Sequence, residues 1–84
     1  MRRAVISIMS NIAEGSGRKS TRELLQFLYI AKSSAGELES QLTAAFDQGY
    51  LNRPVFAELH RRADMIQRML GAFIKRLAPV THHP

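Results

Sequence analysis

At 84 residues and without cysteine, the chain has length for one domain and can build neither a disulfide framework nor a thiolate metal site. A hydrophobic content of 45% beside 23% charged residues, with five glycines and three prolines, excludes a low-complexity linker. No apolar run approaches the ~18 residues of a membrane span, and "MRRAVISIMSNIAEG" turns polar and acidic where a signal peptide would carry small residues, so a cytoplasmic protein with no membrane partner is expected.

The first apolar set, Val5, Ile8, Met9 and Ile12, predicts a helix over about residues 2–15 that ends near Gly15. The stretch that follows, "SNIAEGSGRKSTRE", has the glycines, lysine and serine of a phosphate-cradling loop. Its spacing is wrong for one. A nucleotide-binding loop requires G-x-x-x-x-G-K-[ST] after a β-strand, whereas Arg18 stands here in the place of the second glycine and the segment before it is helical. The glycines and Ser20 are expected to turn the chain, and Arg18, Lys19 and Arg22 to set positive charge beside the next helix N-terminus, where a nucleic-acid phosphate could sit.

The second helix is predicted over 20–48. Its seam runs Leu24, Leu28, Ala31, Ala35, Leu38, Leu42 and Ala45, alternating steps of four and three. Ser20 with Glu23 suits a capping box at its start, and Gly49 suits the left-handed residue that often follows a helix end. Within "LLQFLYIA", Leu25, Phe27, Tyr29 and Ile30 lie outside the seam, so the helix is apolar nearly all round there. These four are the candidate contacts to another chain.

Only "GYLN" separates this helix from a third, predicted over 53–77 with Asn52 as cap and Pro54 in the first turn. Its seam is Phe56, Leu59, Ala63, Ile66, Leu70, Phe73 and Leu77. So short a link folds the two long helices into an antiparallel hairpin. The fold class is all-α, an antiparallel up-and-down bundle of three helices forming one domain over 1–78. Residues 79–84, starting at Pro79, are expected to be a flexible tail.

Charge adds a functional signal, because residues 1–19 carry +3, residues 20–49 carry −2 and residues 50–84 carry +4. On the third helix Arg61, Arg68 and Lys75 recur every seven residues, with Arg62 and Arg76 one residue round, a stripe roughly 21 Å long at helical rise. Arginine's planar fork suits phosphate. Such residues also serve as a solvated face, in part paired with a neighbour's acidic helix. Nothing in the sequence is a base-reading module, so binding to RNA or DNA would run through the backbone.

Other candidates are weaker. Asn11 and Glu14 share a face but suit capping or bonding to a neighbouring helix better than metal binding. His60 and Asp64 are four apart without a third ligand, His82 and His83 lie in the tail, and Ser10 and Ser34 have no base near them in sequence. No cofactor, metal site or enzymatic activity is expected.

"SNIAEGSGR", "FLYIAKSSAGELESQL" and "GYL" resemble, in order, the signature of the four helix bundle proteins, also called 23S rRNA intervening sequence proteins. Met9 replaces the family's usual proline, and Ser33 and Ala35 its glycine and leucine. The resemblance implies an up-and-down bundle assembling into a homopentamer, with Asn11, Glu14 and Gly15 as structural signature. It also implies similarity to the nucleic-acid-binding accessory protein of diversity-generating retroelements. The family pattern has one more helix ahead of "RRA", so three helices of a four-helix bundle are encoded here and an apolar groove should remain where the fourth would lie. Another copy of the chain is expected to fill it. The alternative is an interaction module whose groove receives the helix of a protein partner or a larger enzyme.

Overall fold

A computed structural model describes residues 1–81, with side chains through residue 78. Its three helices are α1 (Arg2–Ser16), α2 (Thr21–Asp47) and α3 (Arg53–Thr81), and no strand occurs among the described residues. Two of the three expected helix ends fall within a residue of the pattern. The third does not: α3 continues through Pro79 to Thr81. Proline's φ is itself helical, and its missing N–H forfeits one bond, to the Lys75 carbonyl. Of the expected tail, 79–81 are therefore helix, and 82–84, with His82 and His83, lie outside the described residues.

Local chemistry sets the junctions. The Glu23 N–H donates to Ser20 Oγ at 3.3 Å, and the Val55 N–H to Asn52 Oδ1 at 2.9 Å, so each long helix has a side-chain N-cap. At the end of α2 the Gly49 N–H bonds the Phe46 carbonyl at 3.0 Å and the Tyr50 N–H bonds the Ala45 carbonyl at 2.9 Å. That is a Schellman ending, and it needs Gly49 at its left-handed φ of 82°. Gly15 has a different role from the expected one. It stays inside α1 and is buried, because a Cβ there would come within 3.0 Å of both Leu24 Cδ1 and Phe27 Cβ. Close approach of α1 to α2, not a helix stop, requires the glycine.

The core lies along α2. Leu25, Leu28 and Ala31 pack with Leu70 and Ile74 of α3, flanked by Leu24 and Leu77. On its other side α2 meets α1, where Ala4 and Ile8 are buried and Ser7 Oγ lies 2.8 Å from Ser34 Oγ. Within α1, Asn11 Nδ2 donates to the Ser7 carbonyl at 2.7 Å and to Ser7 Oγ at 3.2 Å, so this signature residue braces the serine that meets α2. Phe46 and Phe56 stack at 4.5 Å and close the hairpin end.

Among the described residues α1 and α3 each pack on α2 but not on each other. Three helices side by side in a plane, about 9–10 Å apart, would measure roughly 24 by 5 Å across their Cα atoms, and a closed triangle about 14 Å both ways. The observed cross-section is 19 × 14 Å. The chain is an open V with α2 at its apex.

Candidate functional site

The mouth of the V is an apolar groove of about 430 Å³, lined by Ile12, Leu24, Leu28, Met69, Leu70 and Phe73 with Ser16 at its edge. Leu24 and Leu28 form the floor, α1 gives one wall and α3 the other. The α3 wall departs from the predicted seam. Ala63, Leu70 and Ile74 are the residues that α3 buries, whereas Leu59, Ile66 and Phe73 are 38%, 37% and 44% exposed. A three-and-four alternation on a straight helix drifts round the axis, and of the side of the stripe left uncovered Phe73 lines the groove. Met9 and Val5 of α1 are exposed as well.

Of the four residues expected at a chain–chain contact, Leu25 is misplaced. It is buried in the chain's own core, since α3 crosses that flank of α2. Phe27 is half-buried under Arg18, whose guanidinium sits 5.0 Å from the ring centroid. Tyr29 and Ile30 are exposed.

Arg61, Arg68 and Lys75 lie on the other flank of α3, whereas Arg62 and Arg76 fall in the sevenfold row of Met69, at the edge of the groove. Phe73 and Lys75 are two positions apart and so about 200° round the helix, which separates the apolar row from Arg61, Arg68 and Lys75. Much of this charge already has a partner. Glu58 takes both Arg61 and Arg62, and Arg68 Nε bonds Asp64 at 2.9 Å. The hydrogen bonds from Arg61 and then Arg62 hold the Glu58 carboxyl below the usual glutamate range, and Glu58 in turn raises Arg61. Exposed pairs of this kind are weak. Lys75 and Arg76 pair with no carboxylate among the described residues, so free positive charge gathers toward the C-terminal half of α3. At the hinge Arg18 pairs with Glu14 at 2.8 Å and reaches Glu23 at 4.0 Å, while Lys19 and Arg22 are exposed and form no ion pair among the described residues. Glu14, in the signature, thus serves as Arg18's counter-ion.

His60 does not form a site with Asp64: its ring tilts against Phe56 at 5.3 Å while Asp64 is occupied by Arg68. No cluster of three metal-ligating side chains occurs among the described residues, and no described helix is long and apolar enough to cross a membrane.

The model of one protein family, 23S rRNA-intervening sequence protein, matches residues 1–72. The chain belongs to this family. Comparison with curated proteins and with solved structures gave no match. The matched span takes in α1, the hinge, all of α2 and α3 as far as Ala72, and so includes every residue that lines the groove except Phe73.

The structure also brings in a residue that the sequence pattern passed over. Lys32, on the acidic helix α2, lies against α3 at Gly71, where a Cβ would come 3.2 Å from Lys32 Cε. A lone lysine in an acidic stretch gives no signal by itself. Its meaning depends on the glycine that faces it, 39 positions later in the chain.

Proposed function

We propose that this member of the family is a non-enzymatic, oligomeric helical-bundle protein that associates with nucleic acid through the basic face of α3. What supports the reading is the division of α3 into two rows, each recurring every seventh residue. Leu59, Ile66 and Phe73 form an exposed apolar row whose C-terminal member, Phe73, lines the groove, and Arg61, Arg68 and Lys75 occupy the other flank. A second copy laid along the first row and into the groove would bury that row and leave the second in water. Assembly and phosphate contact therefore do not compete for one surface.

Contact through the phosphate backbone gives affinity that falls steeply with salt and depends little on sequence. The test is fluorescence anisotropy of labelled RNA and DNA across a salt series, with light scattering in the same buffers. The expected result is salt-sensitive binding by an oligomer, lost on charge reversal in R61E/R68E/K75E while the oligomer mass holds. Unchanged affinity in that variant overturns the nucleic-acid reading, and a monomer at every concentration overturns the assembly.

A further inference from the structure

On the side of the α2–α3 seam away from the apolar groove lies a second cleft, of about 460 Å³, lined by Tyr29, Lys32, Ser33, Gln67, Gly71 and Lys75 over an apolar floor at Ile74 and Ala78. Its construction is reciprocal. Lys32 and Gly36 on α2 face Gln67 and Gly71 on α3, so that each glycine makes room for the long side chain of the other helix. A Cβ on Gly36 would come 3.1 Å from Gln67 Nε2, and one on Gly71 would come 3.2 Å from Lys32 Cε. Glycine inside an exposed helix costs about 1 kcal/mol relative to alanine. Here that loss lets a lysine stem lie along the α3 backbone, which carries its ammonium to the cleft.

The lining contains no carboxylate. Lys32 and Lys75 form no ion pair among the described residues, and Asp64, which borders the adjoining pocket with Lys32 and Arg68, is held by Arg68 at 2.9 Å. The other polar groups, the Tyr29 and Ser33 hydroxyls and the Gln67 amide, can all donate hydrogen bonds. Two unpaired ammonium groups with neutral donors between them suit an oxyanion with a charge of one to two. Beside them Tyr29 is 55% exposed, leaving an aromatic surface open to water. Cationic grooves edged by an exposed aromatic ring hold single-stranded nucleic acid by phosphate contact and base stacking together.

We infer that this cleft is a contact point for single-stranded nucleic acid, with a backbone phosphate between Lys32 and Lys75 and a base against Tyr29. The inference rests on the nucleic-acid reading above and deepens it. It brings in α2 and sets the preferred form of the strand. A paired duplex keeps its bases stacked inside and offers none to Tyr29, so binding should favour single strands.

The experiment is anisotropy of a labelled mixed-sequence single strand and of its duplex, each over a salt series, with the whole chain and its variants. The single strand should bind more tightly. In K32Q, which leaves the α3 stripe whole, the slope of log K against log salt for the single strand should become shallower by about 0.7, from roughly 0.7 per lost phosphate contact. In Y29A the slope should stay and single-strand affinity should fall by about fivefold to a hundredfold, with Y29F close to the parent. Circular dichroism confirms that each variant is folded. If K32Q and Y29A match the parent while R61E/R68E loses binding, the cleft is not the site and the α3 stripe alone carries the nucleic acid. If no strand binds at low salt, both readings fall. If a mononucleotide shifts the Tyr29 ring resonances and the single strand does not, the cleft takes free nucleotides and the strand assignment is wrong.

Discussion

Two glycine-to-alanine substitutions should move stability in opposite directions, although both lie inside helices and both lie against another helix. Alanine gains about 1 kcal/mol over glycine in a helix interior. At Gly15 the new methyl would meet Phe27 Cβ at 3.0 Å as well as Leu24 Cδ1. The leucine tip can swing, but Phe27 Cβ is bonded to the backbone, so α1 and α2 must separate. Overpacking of that kind costs about 1–3 kcal/mol, which leaves G15A up to about 2 kcal/mol less stable than the parent once the helix gain of is deducted. At Gly71 the only neighbour is the far end of Lys32, with Cε 3.2 Å away, and a lysine stem re-rotates cheaply. G71A should therefore keep most of its ~1 kcal/mol gain. For a chain of this size each kcal/mol shifts the melting temperature by roughly 4–8 °C, so the two variants should melt on the order of 10 °C apart, G71A above the parent and G15A below. The assay is thermal unfolding by circular dichroism, with parent and variants at one low protein concentration because assembly raises the melting point by mass action. A G15A variant that melts at or above the parent would refute the close-approach role of Gly15.

Phe73→Glu, at a groove residue already 44% exposed, should barely change the melting of the isolated chain yet shift assembly to at least tenfold higher concentration in sedimentation or light scattering, since a buried unpaired carboxylate is strongly disfavoured. Glu58→Gln should release Arg61 and Arg62, and with them give tighter nucleic-acid binding and a steeper salt slope in the anisotropy assay. In the parent, Glu58 should titrate below ordinary glutamate in an NMR pH series. A depressed folded-state value means that the pairing is intact at neutral pH and is lost only as pH falls through that lower value. Asn52→Ala should cost about 1 kcal/mol of stability by removing the cap on Val55, with a matching fall in the denaturation midpoint.

Much of the fold is legible in sequence because the signals that make it are local. Ser20 and Asn52 cap, Gly49 takes a left-handed φ, and apolar residues at three-and-four spacing bury one stripe of each helix. What was not legible depended on a second helix. Gly15 reads as a stop until Leu24 and Phe27 are seen against it. Leu25 reads as outward-facing because a seam drawn through Leu24 and Leu28 leaves it out, whereas α1 and α3 together use a wider arc of α2 than one seam. Lys32 reads as one of a few cations in an acidic helix until Gly71 is placed beneath it. Among the basic residues, spacing showed which share a flank of α3, but not that Glu58 and Asp64 pair with its N-terminal part while Lys75 and Arg76 pair with no carboxylate among the described residues.

The open V ties these features to one constraint. A chain this short buries only about 60% of its unfolded surface even when closed, and this one leaves Leu59, Ile66, Met69 and Phe73 over a third exposed along a single flank of α3. Fully burying side chains of this type is worth roughly 1.5–3 kcal/mol each, so the half or so still outstanding across that row amounts to a few kcal/mol per copy. That is comparable with the lower end of the entropic cost of association, about 4 kcal/mol, so a groove filled by one other copy supports assembly that depends on concentration. Several basic rows brought together by assembly would then raise affinity for a long polyanion without any new contact, because each further site binds from within the complex. On the proposed reading, concentration would therefore govern nucleic-acid affinity through the apolar flank of α3, even though Arg61, Arg68 and Lys75 lie on the other flank.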